Sequence, residues 1–302
     1  MTLTGRHITA GDLTPVIVNE ESTYGTPTGD PALYGDVAEG GRFTFQDNPN
    51  PYIAWRYGSR SFDPTDYVTQ QKDAAFTASL EVRDIASWYG IINNATGLMG
   101  TANDPLLPST TKEICVRTGA STWQGRQYTG CKTNKLTISA DAPGEVVRFE
   151  EEVMASKSTP VTRNSALALW KSDNSPAVQW MNGITLNGSD IYPQSFSLTI
   201  TNNLERIRTP NNGDAITGAL IEGRREIEFE ADIWMEDLAF VANAINNSFP
   251  SGNLVITLGI DNAVALTLGG LRWMADGLPD LIQDKQRQKL KLRATSLNLS
   301  LA

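Results

Sequence analysis

Two stretches of the chain carry the same pattern of apolar and polar positions. Residues 76–94 read FTASLEVRDIASWYGIINN and residues 229–247 read FEADIWMEDLAFVANAINN. The copies stand 153 residues apart (229 − 76) with no gap between them. Phe76/Phe229, Ala78/Ala231, Asp84/Asp237, Ala86/Ala239, Ile92/Ile245, Asn93/Asn246 and Asn94/Asn247 are identical, seven of nineteen positions, where random pairing at average residue usage gives about one. Each copy alternates apolar and polar residues up to its Asp and takes helical spacing after it, which predicts a strand, a short turn and an amphipathic helix.

Alternation predicts further strands around each copy. In residues 52–57, Ile53, Trp55 and Tyr57 alternate with Tyr52, Ala54 and Arg56. In residues 195–201, Phe196, Leu198 and Ile200 share one face and hydroxyl residues the other. A long polar connection leads from each of these strands into the repeat, residues 58–73 in the first half and 208–224 in the second. Counted from Tyr52 to Phe76 (24 residues) and from Phe196 to Phe229 (33), the second is expected to be nine longer (33 − 24). Connections of more than about a dozen residues are usually functional or disordered. After each helix come more strands, at 113–117, 135–139 and 146–154, then at 254–258, 263–268 and 289–301. Residues 1–50 are broken by Gly25, Pro27, Gly29, Pro31, Gly40 and Gly41 and predict an extended arm with short strand pieces. Residues 156–176 read as a linker, with a division near 158. The expected fold is mainly β (α+β): two similar β-sandwich or half-barrel domains, 1–158 and 159–302, each with a flanking α-helix. Sheets of that kind have edges, and exposed edges invite pairing.

Composition adds exclusions. With 40% apolar and 20% charged residues among 302, the chain is ordinary for a globular protein. No apolar run approaches the roughly eighteen residues needed to span a bilayer, and no secretory signal is seen, so a soluble, cytoplasm-made protein is expected. Cys115 and Cys131, sixteen apart, suit either a bridge across a hairpin or, in that compartment, two reduced thiols. The sequons at Asn94, Asn187, Asn246 and Asn298 lose their meaning there too. Net charge is −9, split as −5 over residues 1–150 (12 basic, 17 acidic) and −4 over the rest (13 basic, 17 acidic). No basic domain or tail is present to embrace nucleic acid.

Candidate chemistry is sparse. One histidine, His7, sits in the expected arm, so a Ser-His-Asp or Cys-His arrangement has little to stand on. There is no HExxH, no Cys/His metal spacing and no phosphate loop; no catalytic role, cofactor or metal is expected. Two charge patterns stand out. Glu226, Glu228, Glu230 and Asp232 alternate with apolar residues, as do Lys289, Lys291 and Arg293. These rows are either two ordinary solvent faces or partners that meet across one sheet or between subunits, where opposite charges set register. Trp88 and Trp234 are expected to fill the space between sheet and helix.

The segment Glu20-Glu21-Ser22-Thr23-Tyr24-Gly25-Thr26-Pro27 is followed by a strand, a long hairpin loop, strand-Asp-helix and a closing hairpin. Over nearly the whole chain this order resembles the major tail tube proteins of long-tailed, siphovirus-like bacterial and archaeal viruses. The resemblance implies a structural virion protein, not an enzyme, whose subunits join sheets into rings that stack into a hollow conduit for DNA ejection. It implies that the long loops reach the next ring, which assigns that role to Arg60, Asp63, Asp66, Tyr67 and Lys72, and to Arg208, Asn211 and Asp214. A tandem tube domain implies a ring of three chains with pseudo-sixfold symmetry, favoured over a hexamer. The implied partners are other copies of the chain, other tail proteins at the tube ends, and the tape-measure protein and viral DNA in the lumen, without sequence-specific binding and without a membrane. The implied location is the virion tail, assembled in the host cytoplasm. Net negative charge suits such a conduit, because phosphates do not stick to an acidic wall. The alternative is a two-domain host-surface or carbohydrate-binding β-sandwich, which would want exposed aromatic platforms. A hydrolase built on Glu150 and a distant Asp has no support in the pattern. Within the structural class, a secretion-system or contractile-tail tube stays open.

Overall fold

The computed structural model describes residues 13–21, 23–26, 32–33, 36–37, 43–45, 48–53, 67–81, 91–92, 95–96, 107–117, 122–164, 178–181, 183–211, 214–234, 252–259, 264–274 and 287–301. Strands dominate them. The first ten are β1 (Leu13–Glu20), β2 (Ala32–Leu33), β3 (Asp36–Val37), β4 (Phe43–Phe45), β5 (Asn48–Ile53), β6 (Tyr67–Glu81), β7 (Thr110–Arg117), β8 (Thr122–Ala140), β9 (Arg148–Ala155) and β10 (Lys157–Asn164). Then come β11 (Ile184–Leu186), β12 (Ser189–Ile191), β13 (Pro193–Thr201), β14 (Glu205–Asn211), β15 (Asp214–Ile221), β16 (Glu226–Trp234), β17 (Leu254–Leu258), β18 (Val264–Gly269), β19 (Arg272–Trp273), β20 (Arg287–Ala294) and β21 (Ser296–Leu301).

An unbroken antiparallel run crosses the molecule in the order β4-β6-β9-β8-β13-β16-β20-β19. Behind it lie two five-stranded arrangements, β2-β1-β7-β8-β10 and β12-β11-β17-β18-β21. Strand β8 spans 19 residues and serves both layers of the first half. Alternation makes the layering possible. In β13 the even-numbered Phe196, Leu198 and Ile200 are buried while Ser197, Thr199 and Thr201 are half-buried on the other face. The apolar faces of the crossing strands, with Phe76, Phe149, Ile138, Leu198, Phe229 and Leu292, share one core cluster with Ile184, Leu254, Ile256 and Leu266 behind them. Each such side chain removed from water contributes about 1.5–3 kcal/mol.

Register repeats at the spacing of the sequence repeat. Phe43 pairs with Ala78 and Phe196 with Ala231; Ile53 pairs with Tyr67 and Arg206 with Leu220. All four differences (196 − 43, 231 − 78, 206 − 53 and 220 − 67) equal 153. The strand flanking Phe76 is therefore β4, not residues 52–57, and the described part of that stretch belongs to the hairpin arm β5. The nine-residue difference in connection length disappears with it. Alternation is present in both stretches and could not choose between them. The choice is made by the pairing itself: β4 and Asn48–Asn50 run in one register along β6, and a shift between Asn50 and Pro51 follows further out on the hairpin.

The two layers join at matching corners. Chain direction changes at Gly130 (φ 64°) within β8 and at Gly270 (φ 63°) between β18 and β19. Each corner is tied to the turn before the last strand of its half: Ser156 N donates to Thr129 O (2.9 Å) and Thr295 N donates to Gly269 O (3.0 Å). The stretch expected as a linker opens with a strand, since β10 pairs with β8 from Lys157↔Thr129 to Asn164↔Thr122. Ile91 and Ile92 of the first predicted helix, and Ala95 and Thr96 just past its expected end, are helical and buried. Trp88, His7 and the second predicted helix at 237–247 lie outside the described residues, while Trp234 ends β16. No described helix is long and apolar enough to cross a membrane.

Candidate assembly surface

One face of the crossing run is polar. A transverse row passes from Ser79 to Glu150, Thr137, Thr199, Glu228, Arg293 and Arg272, each opposite the next. Beside it run Thr77, Glu152, Lys135, Thr201 and Glu226, and on the other side Glu81, Arg148, Ser139, Ser197, Glu230 and Lys291. Hydroxyls fill the middle, with Thr137 Oγ1 and Thr199 Oγ1 3.4 Å apart where β8 meets β13.

The acidic and basic rows lie opposite each other across β16 and β20, with Glu228↔Arg293, Glu230↔Lys291 and Asp232↔Lys289 in register. Arg293 Nη2 donates to Glu228 Oε1 at 2.6 Å, and Lys291 Nζ stands 2.9 Å from Glu230. The hydrogen bond to Glu228 pushes the Arg293 guanidinium above its ordinary value. Such half-exposed pairs are worth a fraction of a kcal/mol to about 1 kcal/mol each. Their larger effect is to leave the cations of this half of the face engaged with carboxylates.

Hairpin β14–β15 lies against the first half. Arg206 donates to Ala155 O and Ala74 O, both at 2.8 Å, and Arg208 Nη2 reaches both oxygens of Asp73 at 3.1 Å. Burial lowers the Arg206 pKa from its ordinary value, although a guanidinium stays charged. Lys132 Nζ meets Glu222 Oε1 at 2.5 Å and Leu220 O at 3.3 Å. Asn202, 1% exposed, donates to Ala95 O and Thr133 O and accepts from Arg225 Nε, which fastens the helix end, β8 and the base of β16 together. Glu21 of the arm segment does similar work at the corner: it accepts from Thr111 Oγ1 (2.7 Å), Gly130 N (2.8 Å) and Gly25 N (2.8 Å).

Of the residues assigned to ring contacts, Tyr67 and Lys72 lie in β6, Asn211 and Asp214 pair at the tip end of β14–β15, and Arg208 binds Asp73. Arg60, Asp63 and Asp66 lie outside the described residues. Sequence reasoning missed Arg206, Glu222, Lys132 and Asn202. Extending the offset of 153 back from Phe229 and Phe76 to Phe196 and Phe43 would have located the hairpin that carries the first two.

Cys131 is buried and unbridged, and burial pushes its thiol above the ordinary range, which disfavours the reactive thiolate. Among the described residues no cluster of His, Cys, Asp and Glu is arranged to hold a metal. The molecule presents faces, edges and a hairpin, the equipment of a structural protein that works by assembly. A family model described as phage tail tube protein matches residues 13–296, and the chain belongs to that family. It is a structural component of a virus tail that assembles with itself into tubes and meets other tail proteins. No curated protein matches the chain. Nothing supports the carbohydrate-binding alternative.

Proposed function

We propose that the chain is a tandem tube subunit of a siphovirus-like tail, three copies of which close a ring that stacks into the DNA conduit. The observation that carries the reading is the junction inside the chain. Strand β8 pairs with β13, and the edge strands of the crossing run, β19 and β4, hold the counterpart positions. Strand β19 follows corner Gly270 as the second part of β8 follows Gly130, and β4 matches β13 at the offset of 153. Each edge strand has one partner among the described residues. Repeating the internal junction between chains continues the sheet, and closing it removes both edges. In this reading the two units share one topology, and counting β10 with the strand it pairs would carry the expected division near 158 on to Asn164.

In this ring the polar face lines the lumen. It carries Glu81, Glu150, Glu152, Glu226, Glu228, Glu230 and Asp232 beside Lys135, Arg148, Arg272, Lys289, Lys291 and Arg293, so both signs are interspersed. Cations held by carboxylates do not exchange for the counterions of passing DNA as a bare basic row would, so viral DNA and the tape-measure protein move without sequence-specific binding. The distal parts of the two hairpins, with Arg60, Asp63, Asp66, Asn211 and Asp214, contact the next ring, while their bases, with Tyr67, Lys72 and Arg208, stay within the ring. Assembly takes place in the host cytoplasm. Electron microscopy of the purified protein tests the reading: three-chain rings or tubes with a central channel are expected, and a strictly monomeric particle at high concentration overturns it.

A further inference from the structure

A cavity of about 510 Å³ opens at the end of β16, β20 and β19, lined by Arg224, Arg225, Arg272, Arg293, Glu226 and the Ile227–Thr295 corner. Four guanidinium groups and one carboxylate line it, and Arg293 is also paired with Glu228 beside the lining, which leaves the cavity basic on the side of Arg224, Arg225 and Arg272. Arg293 Nε is shielded from solvent and has no hydrogen-bond partner among the described residues.

The first half has the same place, and there it is filled. Arg272↔Arg293 repeats Lys132↔Met154, and Trp273↔Leu292 repeats Thr133↔Val153, with shifts of 140 (272 − 132) along one strand and 139 (293 − 154) along the other. Ala74 and Ala155 thereby correspond to Ile227 and Ala294. In the first half these positions receive β14–β15: Arg206 on the carbonyls of Ala74 and Ala155, and Glu222 and Leu220 O on Lys132. The segment matching β14–β15 at the offset of 153 is the β5–β6 hairpin, where Ile53↔Tyr67 repeats Arg206↔Leu220. Within its own chain that hairpin has no second-half cavity to enter, because the cavity lies at the far end of the crossing run.

We infer that this arginine-lined cavity seats the β5–β6 hairpin of a second copy of the chain, with Arg272 meeting the neighbour at Thr69 and the Tyr67 carbonyl. The inference rests on the proposed ring and deepens it. The seat supplies charged donors for the neighbour's main-chain carbonyls, as Lys132 does internally, and charge-assisted bonds are the strong ones. Thr69 stands where Glu222 stands in the internal junction (222 − 69 = 153).

The test is a full-length Thr69→Cys/Arg272→Cys variant treated with a short bis-maleimide. A Lys132→Cys/Glu222→Cys variant shows the reaction within one chain, and each single variant serves as background. Chain-to-chain products that end in a closed ring, about tenfold above either single variant, are expected because docking raises the local concentration of the pair. Rings seen by microscopy without cross-linked chains overturn the seat and leave the ring standing. The absence of products in the variant together with the absence of rings of the unmodified chain overturns both. In a second measurement, Arg224→Glu/Arg272→Glu is expected to keep its thermal unfolding but weaken ring formation about tenfold, with partial recovery on adding Thr69→Lys. Unchanged assembly of the double variant overturns the seat.

Discussion

Gly130 and Gly270 are where single residues decide the architecture. Both hold a left-handed backbone, and a Cβ on Gly130 would come within 2.8 Å of Ser156 Cβ while one on Gly270 would collide with Thr295 Oγ1. An L-residue pays about 1–2 kcal/mol for that conformation alone. Gly130→Ala and Gly270→Ala should therefore each lower stability by at least about 2 kcal/mol, read as a fall in urea midpoint. A second residue-scale device is the fully buried pair Lys112–Glu151, with Nζ to Oε1 at 2.6 Å and Thr133 Oγ1 donating to the same carboxylate. Its counterpart in the second half is apolar, since Ala78 faces Glu151 where Ala231 faces Leu290. Removing one partner of a buried pair costs about 3–5 kcal/mol, whereas replacing both with apolar residues is often neutral. Lys112→Met should thus be strongly destabilising, and Lys112→Met/Glu151→Leu should regain most of the loss in the same denaturation assay.

Among the elements, β16 and β20 show how charge reinforces register. Reversing Lys289, Lys291 and Arg293 to Glu would set carboxylates against Asp232, Glu230 and Glu228. Like charges directly opposite destabilise a sheet. The triple variant should lose about 1–3 kcal/mol at low salt and recover part of it at high salt as screening shortens the interaction. Equal stability and equal assembly at both salts would refute a role for the rows. Element legibility follows the same logic. Strands β13, β16 and β20 were readable because one face is core and the other water, so alternation is enforced. The first part of β8 was not: Gly125 and Gly130 interrupt its pattern, and Thr122–Thr129 earns its strand conformation from partners on both sides, β7 and β10. Strand β10 was hidden for the same reason, its polar sequence KSTPVTRN resembling a linker until it is paired.

For the whole molecule, the repeated strand orders and the repeated corner geometry make the internal junction a template for an external one. A chain that already contains one such contact has rehearsed, at high local concentration, the contact that assembly would multiply. If the proposed ring forms, its closure, not folding, is expected to depend on protein concentration. Rings should disappear on dilution while the unfolding midpoint of the single chain persists, which sedimentation and denaturation together would read.

The sequence by itself determined the repeat of 153 residues, the mainly β character and the polar and apolar faces of the central strands, because these follow from local alternation and residue chemistry. Tertiary structure decided the rest: that β4 rather than residues 52–57 flanks Phe76, that Arg206, Arg208 and Glu222 turn back onto the first half, and that Arg224, Arg225, Arg272 and Arg293 converge on one cavity. Such partners lie up to 135 residues apart in the chain, as Arg208 and Asp73 do. No local pattern encodes them, since only the order in which strands pair brings those side chains together.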